Sequence, residues 1–184
     1  MDLISLAGML SYAAHYGQKR KYSDDMYFRH PERLAKRGKA MGLSDRVIAA
    51  LYLHDVEEDC DTHYKQQMRD VMPAYVVALV LEVTNPSKDH PELRRQERKA
   101  MDREHLKHVS HDAKIMKFLD RIDNINEMVD GDRGFQMKYS QETLLLVEAL
   151  LHGEHDALLD DLASELLQAV TQMQTEAMRK TLRR

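Results

Sequence analysis

Apolar residues recur along most of this 184-residue chain at intervals of three and four and seldom alternate with polar ones. That spacing predicts amphipathic helices, not half-buried strands. It places helices at about 2–17, 31–41, 44–59, 64–83, 91–108, 111–129, 135–152 and 155–180. The stops are legible as well: Gly42 can end one helix and Ser44 cap the next, while Asn85-Pro86-Ser87 and the 130–134 stretch DGDRG break the chain further on. Pro31 suits the first turn of a helix, which puts His30 at its mouth. With 7 glycines, 4 prolines and no long β-branched run, a sheet would be hard to build. The expected fold is therefore all-α, a helical bundle. The length suits one hydrophobic core, so a single domain is expected over 1–184. Its last helix, at about 155–184, carries Leu158, Leu159, Leu162, Leu166, Ala169, Val170 and Met173 on one stripe. This accessory helix could cap the core or make a dimer seam, which leaves a homo-oligomer open.

Composition narrows the function classes. Lys and Arg number 27 against 31 Asp and Glu, a formal net charge of −4 that argues against a general nucleic-acid coat. The lone Cys60 excludes an internal disulfide framework and a cysteine zinc cluster, and fits a reducing compartment. The apolar start, Met1 to Leu10, has an acid at its head and no basic region before it, unlike a secretion signal. No segment approaches the roughly 20 apolar residues of a membrane span. A cytoplasmic protein with neither nucleic-acid nor membrane partners is expected.

One stretch breaks the pattern. Residues 53–59, LHDVEED, close an apolar helix face running from Arg46 with a histidine and four carboxylates. In a continuous helix, Leu51, His54, Asp55, Glu58 and Asp59 fall on one side while Val56 and Glu57 turn away. The polar groups thus prolong the inward stripe. Burying them uncompensated would cost many kcal/mol. A divalent cation answers this, because it turns clustered anions and an imidazole into coordination, and His with Asp suits Mn²⁺, Fe²⁺ or Zn²⁺. Read alone, such a cluster is more often a solvated acidic surface, but near a helix C-terminus the macrodipole disfavours negative charge. A second helix, 113–124, has Ile115, Phe118, Leu119 and Ile122 as its core stripe, with Asp120 at the edge and Asn124 one turn on, on the same side. An Asn amide there can hold a ligand or a substrate oxygen. A lone Asp in that setting is usually an ion-pair partner, for instance to Lys117 or Arg121.

The order of these parts, a His before one helix, His-Asp at the end of the next and an isolated Asp far downstream, resembles the HD superfamily of metal-dependent phosphohydrolases. More closely, GQKRK at 17–21, YFRHP at 27–31, HDVEED at 54–59 and KFLDRIDN at 117–124 are similar to the hydrolase domain of RelA/SpoT-type enzymes, whose pattern reads GQxRKxG, PYIxHP, HDxxED and KLADRxxN. EVT at 82–84 and ERK at 97–99 are similar to the stand-alone, metazoan SpoT-homologue type of small alarmone hydrolase. The resemblance runs from about Ala13 to Leu151. It implies an HD-domain helical bundle and a metal, commonly Mn²⁺, held by His30, His54, Asp55 and Asp120. It also implies that Glu58 and Asp59 orient or activate the attacking water, and that Arg20 and Lys21 meet the nucleotide, with Arg20 stacked on guanine. Asn124 would touch the nucleoside, and Lys138 stands where relatives carry an Arg near the phosphates. The implied reaction is removal of the 3′-pyrophosphate from the guanosine polyphosphates ppGpp or pppGpp. The chain leaves no room for the synthetase and regulatory domains of the long enzymes, so a hydrolase-only protein is implied.

Two departures concern the substrate. The loop Arg20 to Tyr27 lacks the usual Gly and the Pro before Tyr, and Glu127 replaces a small polar residue or Arg. Both touch the pocket that chooses the nucleotide, not the metal ligands.

The residue types fit such a reaction. A divalent ion lowers the pKa of a bound water and polarises a phosphoryl oxygen. Glu58, sitting among other acids, is placed to shuttle the proton. Arg29 and Lys88 read as surface charges, and His63, His90, His105, His108, His111, His152 and His155 show no ligand spacing. Met9, Met68, Met72, Met116 and Met128 read as core filler. Three classes stay open: the alarmone pyrophosphohydrolase; an HD phosphatase on another nucleotide, such as a nucleoside monophosphate or the 2′-phosphate of NADPH; and a nucleotide sensor without catalysis. The Glu58-Asp59 pair speaks against the last, since a sensor needs no poised water.

Overall fold

In a computed structural model of the chain, residues 1–21, 24–128 and 132–182 are described. Tyr22 and Ser23 of the 20–27 loop, and Asp130 and Gly131 of the break at 130–134, lie outside the described residues. The helices are α1 (Leu3–Ala14), α2 (Arg29–Ala40), α3 (Asp45–Leu53), α4 (Val56–Asp59), α5 (Thr62–Val71), α6 (Ala74–Val83), α7 (Arg95–Leu106), α8 (His111–Glu127), α9 (Arg133–Leu150) and α10 (Ala157–Leu182), with a 3₁₀ turn at Pro86–Asp89. The expected all-α class holds: among the described residues there is no named strand, only an isolated antiparallel bridge between Lys19 and Met26. No described helix is long and apolar enough to cross a membrane.

Two helices make the centre. α3 buries Val47, Ile48, Ala49, Ala50, Leu51 and Leu53, so it is apolar nearly all round and packs against α1, α2 and α6. α8 buries Ile115, Phe118, Leu119, Ile122 and Ile125 and packs against α6, α2 and α10. The stripe of α10 docks on α8 and α9, with Leu159, Leu162, Leu166, Val170 and Met173 buried, so this face caps the core. α7 pairs with α9 on the far side. Gly42 follows α2 at φ +75°, and the Ser44 hydroxyl accepts the Val47 N–H at 3.4 Å, so both stop signals act as read.

Three of the differences from the periodic reading bear on the site or have a local reason. The stretch 44–59 is not one helix; it breaks at His54-Asp55 into α3 and α4. The stretch 64–83 divides at Pro73, which has no N–H to give the ladder and holds Met72 extended at ψ 146°. α2 begins two residues early, so His30 lies inside its first turn.

Candidate active site

His30 comes from the first turn of α2, His54 and Asp55 from the break between α3 and α4, and Asp120 from the middle of α8. Since α2 packs on both α3 and α8, three distant segments are brought to one point. One ligand atom each of His30, His54 and Asp55 lies within 4.8 Å of the others. Asp120 stands outside that tight group but reaches it: its Oδ1 is 3.2 Å from His30 Nε2 and 3.9 Å from His54 Nε2. Asp55 Oδ2 is 3.1 Å from His54 Nε2 and 3.7 Å from His30 Nε2.

The outer contacts fix which nitrogen faces inward. His54 Nδ1–H donates to the Leu51 carbonyl at 2.8 Å, and His30 Nδ1–H donates to Asp123 Oδ2 at 2.7 Å. Each imidazole therefore turns Nε2 to the cluster, the arrangement by which a carbonyl or carboxylate orients a ligating histidine. Arg33 clamps Asp123 with Nε and Nη2, each 2.8 Å from a carboxylate oxygen, and also pairs with Glu127. His54 Nε2 is a fully buried polar atom without a hydrogen bond. An orphaned nitrogen lone pair facing two half-buried carboxylates is what a divalent cation would satisfy, so the donor set fits a metal.

The same carboxylates also favour protons on the two imidazoles. Burial alone would depress His30, but its hydrogen bonds to Asp120 and Asp123 outweigh it and hold the imidazolium up to about 9. His54 is shifted upward as well, against its burial, by the adjacent Asp55. Burial pushes Asp55 and Asp120 up, but His54 beside the first and Lys117 beside the second more than reverse it, and both end below the usual carboxylate range. A metal bound through His30 Nε2 would expel the proton held there. At pH 7.5 at least one proton should leave per metal bound, and apparent affinity should fall as pH drops below about 9, by up to about tenfold per unit for one proton. Titration calorimetry in buffers of different ionisation enthalpy measures this; zero proton release would contradict the arrangement.

The cluster opens into a cleft of about 250 Å³ whose walls include Tyr27, Glu58, Asn85, Asn124, Tyr139 and Glu142. Glu58 lines it, and the expected proximity to other acids gives way to a set of donors. The Asn85 backbone N–H and side-chain amide donate to Glu58 Oε1 at 2.7 and 2.8 Å, and Lys88 Nζ is 3.5 Å from Oε2. Asp59 does not share that wall. One residue beyond Glu58 on α4, about 100° round the helix, its carboxylate is exposed and meets the Tyr27 hydroxyl at 3.2 Å and Lys88 Nζ at 2.8 Å. Lys88 and Arg29 are both exposed, as the sequence reading has them; Arg29 pairs with Glu32, whereas Lys88 reaches back to Glu58 and Asp59. The Tyr27 hydroxyl also donates to Asp55 Oδ2 at 2.7 Å, and burial followed by the two acids raises the phenol far above its ordinary value.

Arg20 and Asn124 line both this cleft and a neighbouring recess that Lys21, Phe135 and Tyr139 share. Arg20 lies over the Tyr27 ring at 5.2 Å and donates to Glu127 and Asn124, each at 2.6 Å. Lys21 lies over Phe135 at 5.2 Å. Asn124 in turn donates to Asp120 Oδ1 at 2.5 Å. Lys138 is not brought in: it is exposed, while Tyr139, Glu142 and Leu146 give the face of α9 that meets the cleft. One residue along a helix is a turn of about 100°, enough to remove it from that wall. Residues the sequence reading passed over are Asp123 and Arg33 behind His30, Asn85 behind Glu58, and Arg95, Lys99, Arg103 and Arg121 around the cleft. Only Asp123 carried a signal, as a second carboxylate one turn from Asp120.

The family model described as HD domain matches residues 9–153. Over 124 residues the chain is 32% identical to guanosine-3′,5′-bis(diphosphate) 3′-pyrophosphohydrolase MESH1 of Danio rerio, covering 65% of this chain and 66% of that protein. Over 136 residues it is 31% identical to MESH1 of Xenopus tropicalis, covering 68% and 69%. The match to the zebrafish protein thus spans just under two thirds of its length. Among solved structures, a metazoan ortholog of SpoT that hydrolyzes ppGpp superimposes with a TM-score of 0.76 at 22% identity, over 91% of this chain and 95% of that one. A Listeria monocytogenes EGD-e protein superimposes at 0.66 and 21%, over 83% and 99%. At these identities the structures speak for the fold alone, but the family model spans His30, His54, Asp55 and Asp120 together. The chain belongs to the HD domain family, alongside the metazoan MESH1 proteins.

Proposed function

We propose that this chain is a metal-dependent guanosine-3′,5′-bis(diphosphate) 3′-pyrophosphohydrolase, converting (p)ppGpp to GDP or GTP and pyrophosphate. The observation that carries the reading is that Glu58, His30, Asp55 and Asp120 line one cleft together with cations, with His54 buried beside Asp55 at 3.1 Å. The names of the MESH1 relatives support the substrate. Membership of the HD family implies a divalent metal, and we take Mn²⁺ as the ion. His30, His54, Asp55 and Asp120 would hold it. When bound, such an ion lowers the pKa of a water and polarises a phosphoryl oxygen.

The remaining work falls to the chain's own side chains. Glu58 takes the proton of the attacking water, its carboxylate aimed by Asn85. Asp59 acts at one remove, holding Lys88 and Tyr27 in place. Asn124, bridging Asp120 and Arg20, fixes the sugar side of the site, and the nucleoside takes the recess of Arg20, Lys21 and Phe135.

A second reading keeps the same ligands but another nucleotide, a monophosphate or the 2′-phosphate of NADPH. The Glu127 carboxylate favours it, because it already occupies the guanidinium of Arg20 that would stack on guanine. Product analysis with Mn²⁺ on ppGpp, pppGpp, GMP and NADPH decides. Pyrophosphate released from ppGpp, with GDP left behind, is the expected result. Orthophosphate from NADPH or GMP, with ppGpp intact, would replace it by the second reading.

A further inference from the structure

Six cationic side chains line the cleft, apart from His30, and they are not equivalent. Four are already neutralised by the protein. Arg20 is held by Glu127 at 2.6 Å, Lys99 by the buried Asp102 at 3.1 Å and Lys117 by Asp120 at 3.3 Å, while Arg95 makes a two-pronged pair with Glu142 at 2.8 and 2.9 Å. An anion entering the cleft would have to break those pairs to use them. Arg103 on α7 and Arg121 on α8 differ. Among the described residues, no carboxylate lies within ion-pair distance of either.

Both are half-buried, so neither is fully compensated by water. Arg121 stacks on Tyr139, its guanidinium carbon 4.3 Å from the ring centroid, which fixes the plane and leaves the N–H edge as the reactive side. Its Nη1 is buried and has no hydrogen-bond acceptor. A donor held rigid, out of water and facing no protein acceptor is unfavourable unless something else accepts from it. Leu106 and Leu146 line the same cleft and lower the local polarity, which strengthens any ion pair formed there.

We infer that Arg103 and Arg121 form the oxyanion clamp of this site and bind a pyrophosphate group, each as a two-pronged donor to non-bridging oxygens. The four paired cations then serve as scaffold, shaping the walls without meeting the phosphates directly. A guanidinium fork suits such oxygens better than an ammonium. The inference deepens the hydrolase reading and rests on it for the identity of the substrate, though not for the anion.

The probe is inorganic pyrophosphate, measured by equilibrium dialysis against the manganese-loaded protein, with metal content and melting temperature recorded for every variant. Arg103→Gln and Arg121→Gln should each weaken pyrophosphate about tenfold to a hundredfold while manganese content stays that of the parent. Arg98→Gln, which alters a guanidinium lining only the outer recess, should leave it unchanged. Parental affinity in both Gln variants, or a parent that does not bind pyrophosphate, overturns the assignment. Should a Gln variant fail to fold, the corresponding Lys variant decides, since it keeps charge and stem but loses the fork; a loss of several-fold is expected and undiminished affinity overturns the clamp. A parent that binds pyrophosphate through these two arginines yet leaves ppGpp intact would sink the hydrolase reading and leave the clamp standing.

Discussion

His54→Ala should leave the protein folded, empty of metal and unable to release pyrophosphate from ppGpp above background. The substitution removes the nitrogen that is buried and without a hydrogen bond, and with it one of three atoms in the tight group. What stays behind is not an unpaired cluster of charge. His30 remains hydrogen-bonded to Asp123, with Asp120 Oδ1 3.2 Å from its other nitrogen, and Lys117 still pairs with Asp120, so the carboxylates keep partners and the helices keep their packing. Asp123→Asn sets the scale for comparison. It spares every proposed ligand but weakens the hydrogen bond that orients His30, a loss of about 10- to 100-fold in metal affinity. His54→Ala should exceed that. Metal content after gel filtration, helical circular dichroism and pyrophosphate release are the three readings. A variant that retains one equivalent of metal would remove His54 from the site.

The central pair was legible because it contradicts its surroundings: an apolar face that ends in His54, Asp55 and Glu58 has to be answered by something, and Asp120 sits at the edge of an equally apolar helix. His30 was readable through Pro31, which marks the helix start. What escaped the sequence depends on contacts across long separations. Asp123 meets His30 and Arg33 across some ninety residues, so its own helix shows only a second carboxylate one turn from Asp120 and nothing of what it holds. Asn85 sits in a turn following the apolar α6, and only the folded chain shows that both its donors end on Glu58. The break after Leu53 is hidden for the opposite reason. The residues at the break keep right-handed dihedrals, at φ −56° and −95°, so no proline or glycine announces it. Glu58 and Asp59 part company on the short α4 itself, where one residue is a turn of about 100°. Lys138 shows the limit of placing a residue by resemblance, since the neighbouring Tyr139 meets the cleft in its stead.

That separation of Glu58 from Asp59 yields the other large effect. Glu58→Gln should bind manganese as the parent does, because Glu58 lies outside the tight ligand group, while kcat falls by about 10²- to 10⁴-fold, the range for loss of a positioned proton carrier. KM should change little, since the amide keeps the shape and the Asn85 backbone N–H still finds an oxygen. Asp59→Asn should lose far less, under about tenfold, as its carboxylate faces Lys88 and the Tyr27 hydroxyl, turned from the cleft. The contrast between the two is the decisive measurement, because adjacent acids in one motif read alike in sequence. Single-turnover rates on ppGpp with manganese occupancy measured in the same samples give it. Equal losses in the two variants would mean that the pair acts as one unit, and a Glu58→Gln enzyme as fast as the parent would leave the attacking water without its proton acceptor.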